Sequence, residues 1–301
     1  MEKIYRLTPS LKDNLWGGNR LREYGKLSHK DRIAESWEIS FTPGGEATIE
    51  DGRRLSEVFS MADMGTRVEK LGKFPLLTKF IDAREKLSVQ VHPSDEYALV
   101  REGQLGKTEM WLILEAEEGG GIYLGLNRNT SPEEFRRASE DGTVESLLAF
   151  RRVKAGEVYF IPAGTVHAIC EGVMIYEIQQ NSTLTYRLYD YMRRGGEGRL
   201  RELHLDRAMD VAELRPYESV DPDPLHPEVI GKCPYFTASR YTVDGSLELD
   251  TDGESFLGIT VISGEGSIDG LTARRGDSFL CPAVEARHLL TGAMKIVTVR
   301  V

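Results

Sequence analysis

Short apolar segments, many with a two-residue period, recur along most of the chain: KLSVQVHP, EMWLILEAE, GIYLGL, GEVYFIP, GVMIYEIQQ and TLTYRLYDY, then YFTASRYTV, SFLGITVIS and MKIVTVRV. Gly, Pro, Asn and Asp separate them at short intervals. That spacing leaves little length for the crossover helices that parallel strands require. A mainly β chain is expected, folded as a sandwich or barrel. Helical signals are few and short. SPEEFRRASED opens with Ser, Pro and paired Glu, an N-cap signature, and LSEVFSMADMG and HLDRAMDVAEL are the other short helices.

Five of the twelve prolines fall between Pro216 and Pro234, in RPYESVDPDPLHPEVIGKCP. This stretch is read as a connector, residues 216–234, between an N-terminal domain, 1–215, and a C-terminal one, 235–301. An internal echo supports two related halves. GEVYFIP begins at Gly156 and GDSFLCP at Gly276, and each is followed by a histidine, His167 and His288.

The net charge of −10 with no basic tract speaks against a nucleic-acid surface. It also requires that any phosphorylated ligand meet a local cluster of Lys or Arg. No run approaches transmembrane length, and MEKIYRLTPS lacks the apolar centre of a signal peptide. Cys170, Cys233 and Cys281 are far apart with no CxxC pair, as in reduced thiols. A cytoplasmic protein with neither membrane nor nucleic-acid partner is expected.

GEVYFIPAGTVH fits G-x5-P-x-G-x2-H, with Gly156, Pro162, Gly164 and His167 in register. It resembles the second motif of cupins, which are small double-stranded β-helix barrels. In such a segment a strand ends at the proline, the glycine supplies a turn of positive φ, and the histidine starts the next strand pointing inward. LSVQVHP supplies companions. Gln90 and His92 project from one strand face, roughly 6–7 Å apart at the backbone. In GKTEMWLIL, Lys107, Glu109 and Trp111 share a face. Gln90, His92, Glu109 and His167 together form a two-nitrogen, two-oxygen set that suits Zn²⁺, with other divalent first-row ions open. Any one of these residues alone reads as part of a solvent-facing strand with a buried, hydrogen-bonded histidine; the combination does not. The second echo, PAVEARH, lacks the glycine and has no Q-x-H companion, so the C-terminal domain is read as having no metal of its own.

QVHP, KTEMW, PAGTVHAI and EIQQNSTLTYRLYDY, with LWGGNRL, ESWEIS and RELHLDRAMD, resemble class I mannose-6-phosphate isomerases of the short bacterial form, over about residues 10–212. The resemblance implies two cupin-type β-barrels with a few short helices. It implies one Zn²⁺ per chain, bound by Gln90, His92, Glu109 and His167, and Arg187 as the catalytic arginine. It also places Ser88 and Lys107 beside a sugar phosphate. The activity implied is interconversion of mannose 6-phosphate and fructose 6-phosphate through an enediol-type intermediate.

From the residues alone, Arg187 shares a strand face with Thr185 and Tyr189 and can enter the same cavity, but reads first as a surface ion pair. An arginine is a poor base, so the proton-transferring group is left open. A metal cupin oxygenase and a non-catalytic sugar-phosphate-binding cupin are the alternatives. Gln90 and Lys107 point away from the first, whose sites favour two histidines and a carboxylate. His29, His204 and His226 have no partner at motif spacing, and RRGGEG is a basic loop. Oligomeric state, the metal loaded in cells and substrate breadth are not fixed by the sequence.

Overall fold

The computed structural model describes residues 2–194, 198–219 and 225–301. Part of RRGGEG and part of the proline-rich connector lie outside the described residues. By compactness the chain divides into a unit of Asp13–Gly18 with Ile81–Val220, and a unit of Met1–Lys12, Asn19–Phe80 and Asp221–Val301. The fold is mainly β with antiparallel sheets and short helices, as the alternating segments require. No helix among the described residues is long and apolar enough to cross a membrane.

The first unit holds the strands β1 (Val89–Val91), β2 (Glu109–Ala116), β3 (Gly121–Leu126), β4 (Leu148–Arg152), β5 (Val158–Ile161), β6 (His167–Ile169), β7 (Val173–Gln180) and β8 (Tyr186–Tyr189). Hydrogen-bonded neighbours run β8-β1-β6-β3-β4 in one sheet and β5-β2-β7 in the other. In the first sheet Gln90 stands opposite both His167 and Arg187. In the second, Glu109 stands opposite Ile161 and Gln179, and Trp111 opposite Tyr159 and Glu177. Cross-strand partners share a face. Register alone therefore gathers the candidate residues into two rows.

Val89 and Val91 point the other way. They join a core with Phe135, Val144 and Ala208, supplied by the segments Pro132–Glu140, Val144–Leu147 and Leu205–Val211. The first of these begins as its sequence predicts, Ser131 Oγ accepting from the Glu134 amide at 3.2 Å. The helix Asp95–Arg101 was not expected, although Ser94 and two acids in its first turn mark its start.

The second unit carries the long strands β9 (Phe236–Thr251), β10 (Leu257–Ile268) and β12 (Ala286–Arg300), with the short β11 (Ser278–Cys281) beside β10. They enclose a core of Leu257, Ile259, Phe279 and Ile296, among others. The echo is visible in the backbone: Gly156 and Gly276 have φ of 92° and 93° before β5 and β11. His288, however, is engaged within its own unit, Nδ1 at 2.7 Å from Asp269 and Nε2 at 3.1 Å from Thr251 Oγ1.

Candidate metal and substrate site

The histidine loop is built as its glycine demands. β5 ends at Ile161, Gly164 takes φ 91°, and β6 starts at His167. The Gly164 amide donates to the His92 carbonyl at 2.8 Å, which ties this turn to the end of β1. The KTE loop is clamped in the same way. Lys107 N donates to the Pro93 carbonyl at 2.9 Å, and Thr108 N to Gln180 Oε1 at 2.7 Å. Gln180 is fixed in turn by donating to Asp95.

These loops bring His92, Glu109 and His167 together, all buried, with donor atoms within 4.8 Å of one another. His92 Nδ1–H donates to the Leu184 carbonyl at 2.8 Å, and His167 Nδ1–H to the Thr165 carbonyl at 2.9 Å. Each Nε2 is then an acceptor, His92 Nε2 toward Lys107 Nζ and His167 Nε2 toward Gln90. Both Nε2 atoms face Glu109 at 3.5 and 3.3 Å, so a carboxylate and two imidazole acceptors point at one another. Such a grouping is repulsive unless cations are shared among them, and the Lys107 ammonium is one, on the side of Glu109 Oε2 and His92 Nε2. Burial pushes the His167 imidazole down to about 4, so on the side of Glu109 Oε1 and His167 a proton does not play that part at neutral pH. The donor set fits a divalent metal.

Gln90 Nε2 lies 3.3 Å from His167 Nε2; rotation of the amide by half a turn presents its oxygen instead. Ser88 is buried beside it, Oγ at 3.5 Å from Gln90 Oε1. Lys107 Nζ sits 2.6 Å from Glu109 Oε2, 3.1 Å from His92 Nε2 and 3.4 Å from Glu177 Oε1. Burial alone would lower the Lys107 pKa, but Glu109 and Glu177 outweigh it and raise the group, which is an ammonium at neutral pH.

Arg187 is half-buried, with Nη1 donating to the Glu202 carbonyl at 2.8 Å and its amide donating to His204 Nδ1 at 3.1 Å. Burial and then the neighbouring Arg201 lower its pKa, followed in part by Arg193. Arg193 and Arg201 converge on the buried carboxylate of Asp190 at 2.5 and 3.2 Å. Here is the local cationic cluster that the overall charge made necessary for a phosphorylated ligand.

Sequence reasoning brought out the His92, Glu109, His167 and Lys107 grouping, and Arg193 only as part of the basic run RRGGEG, but missed Glu177, Arg201 and the contact of His204 with Arg187. A lone Glu inside the apolar run VMIYEIQQ was the available signal for Glu177.

Residues 4–109 match the family described as phosphomannose isomerase type I, catalytic domain, and 229–301 match the mannose-6-phosphate isomerase cupin domain. The chain is 38% identical to mannose-6-phosphate isomerase ManA of Bacillus subtilis (strain 168) over 91% of each sequence. The chain belongs to the type I phosphomannose isomerases. The Streptococcus mutans mannose-6-phosphate isomerase is 35% identical over 97% of this chain and 96% of its own. A crystal structure of the mannose 6-phosphate isomerase from Bacillus subtilis superposes with a TM-score of 0.87 at 32% identity, each chain covered in full. In this phosphomannose isomerase the buried His92, Glu109 and His167 could hold a metal ion, and the arginines around Asp190 lie in the same unit.

Proposed function

We propose that this chain interconverts mannose 6-phosphate and fructose 6-phosphate, with one Zn²⁺ held by Gln90, His92, Glu109 and His167. The observation that carries the reading is the convergence of two imidazole acceptors on Glu109, in a unit that also gathers Arg187, Arg193 and Arg201 around the one carboxylate of Asp190. When bound, the metal supplies Lewis acidity toward the sugar oxygens and a fixed positive charge.

Aldose–ketose isomerisation moves a proton between C2 and C1 while negative charge gathers on the sugar oxygens. Arg187 answers that charge as a fixed cation, its Nε–H being buried without a protein acceptor. Lys107 donates a hydrogen bond to a sugar oxygen and remains an ammonium, held so by Glu109 and Glu177. Arg193 and Arg201, already oriented by Asp190, receive the phosphate together with Arg187. Ser88 lies on the same row as Gln90 and positions the substrate beside it. The catalytic portion lies within residues 1–215, the segment 216–234 connects, and 235–301 works without its own metal. Both halves are read as cupin-type barrels.

The test is a coupled isomerase assay with and without chelator. Chelation abolishes turnover and added zinc restores it; unchanged turnover in metal-free protein defeats the assignment. His92→Ala and Glu109→Ala lose metal, whereas Arg187→Ala keeps metal and loses rate. Bound iron with oxygen consumption would favour an oxygenase instead.

A further inference from the structure

Two polar atoms beside the metal grouping are buried without any hydrogen-bond partner: Gln179 Oε1 and Trp111 Nε1. Both belong to the row structure described above. Gln179 stands opposite Glu109, and Trp111 stands opposite Glu177, so all four side chains share the inner face of the β2–β7 pair. The Gln179 amide is not free to turn. Its Nε2 donates to the carbonyls of Gln180 and Ser182 at 2.8 and 2.7 Å, which uses both hydrogens and leaves Oε1 as the atom over. Trp111 is held edge-on to His167, ring centroids 5.4 Å apart, and its indole nitrogen can only donate.

Leaving either group unpaired in a buried site is unfavourable, and methionine and phenylalanine would fill the same places without that penalty. We propose that Gln179 and Trp111 read the substrate's sugar hydroxyls, Gln179 accepting from one O–H and Trp111 donating to a hydroxyl oxygen. A polyol both donates and accepts, so an acceptor-only group and a donor-only group complement it. Neither carries charge, so neither competes with Arg187 or Lys107 for the phosphate or for developing oxyanions. The inference rests on the site taking a hexose phosphate. It assigns the discrimination among such sugars to these two residues, because a site built to bond a hydroxyl rejects the analogue that lacks it.

Trp111→Phe and Gln179→Met are compared with the wild-type holoenzyme on mannose 6-phosphate and on its 3-deoxy and 4-deoxy forms. Metal content and thermal unfolding are followed in parallel. Metal stoichiometry is expected to hold and the unfolding midpoint of Trp111→Phe to stay level or rise. On mannose 6-phosphate kcat/KM should fall about tenfold to a hundredfold. For each variant, one deoxy substrate should be turned over as well as by wild type, since the bond is already absent from both sides. Wild-type kcat/KM in the variants, an equal loss on every substrate, or loss of metal would overturn the inference. Should Gln179→Met not fold, Trp111→Phe decides alone. Absence of wild-type isomerisation would instead sink the proposed function.

Discussion

Lys107 Nζ lies 2.6 Å from Glu109 Oε2, on the side of that carboxylate that faces His92. The ammonium and a divalent cation therefore compete for Glu109, with Glu177 as the alternative partner of Lys107 at 3.4 Å. Lys107→Met removes the competitor but leaves two buried carboxylates. Without metal the variant should lose about 3–5 kcal/mol of stability. With zinc it should recover more than wild type does, and bind the ion at least as tightly, while turnover is lost. Competition with a chromophoric chelator, alongside denaturant unfolding, checks this. Weaker zinc binding than wild type would show that Lys107 supports the metal rather than opposing it.

Acid should act on the metal-free protein through His167. Its folded pKa is lowered to about 4 by burial, against an unfolded value near 6.5. Between those values the unfolded chain binds the proton and the folded chain does not, so stability falls as pH falls through this window. The loss is on the order of 3 kcal/mol once both values are passed. Urea midpoints of metal-free protein between pH 7 and pH 4 report it, with His167→Asn as the control that lacks this slope. Because the folded ligand is already neutral well below pH 6.5, the His167 part of metal release should set in near pH 4–5. Release centred on pH 6.5 would mean that His167 titrates as an exposed histidine.

The two loops that close the site make a mechanical prediction. Gly164 at φ 91° carries the amide that holds the His92 carbonyl, and a Cβ there would meet the Val211 carbonyl at 3.1 Å. Gly164→Ala should therefore destabilise by about 1–3 kcal/mol and loosen both histidine loops. Zinc affinity should drop while Arg187 and its partners are untouched. Unchanged zinc affinity in a destabilised variant would separate the turn's role in folding from metal holding.

What the sequence made legible follows from period and punctuation. Gln90 and His92 alternate with Val89 and Val91, and the structure sends the valines to the helical core and the polar residues to the site. The motif glycine and proline placed His167 at a strand start, where it lies. Trp111 was already on the face of Glu109 by alternation, but Glu177 and Gln179 were harder because β7 is buried on both faces, so alternation cannot say which face looks inward. Arg193 and Arg201 were hidden for another reason: Asp190 gathers them by tertiary contact rather than spacing. The strands of the first fifty residues are too short for a period to register, Glu35–Trp37 being three residues long. Their grouping with the C-terminal strands is written in the fold alone.

His288 tests whether the second motif echo is structural. Its imidazole links Asp269 to Thr251, while Asp269 also takes the Leu289 amide at 2.9 Å and Lys3 Nζ at 3.1 Å. The Thr251 hydroxyl donates onward to the Val284 carbonyl at 2.7 Å, so it accepts from His288 rather than giving up a proton to it. That is the chemistry of a clip, joining the turn at Asp269 to the two long strands that carry Thr251 and His288. Replacing His288 by Ala strips a buried carboxylate of one partner and leaves a cavity, with an expected loss of about 2–4 kcal/mol. Metal content, metal affinity and kcat of the folded fraction should stay at wild-type values. A fall in metal stoichiometry in His288→Ala, at a temperature where the variant is folded, would show that the C-terminal histidine contributes to metal binding after all.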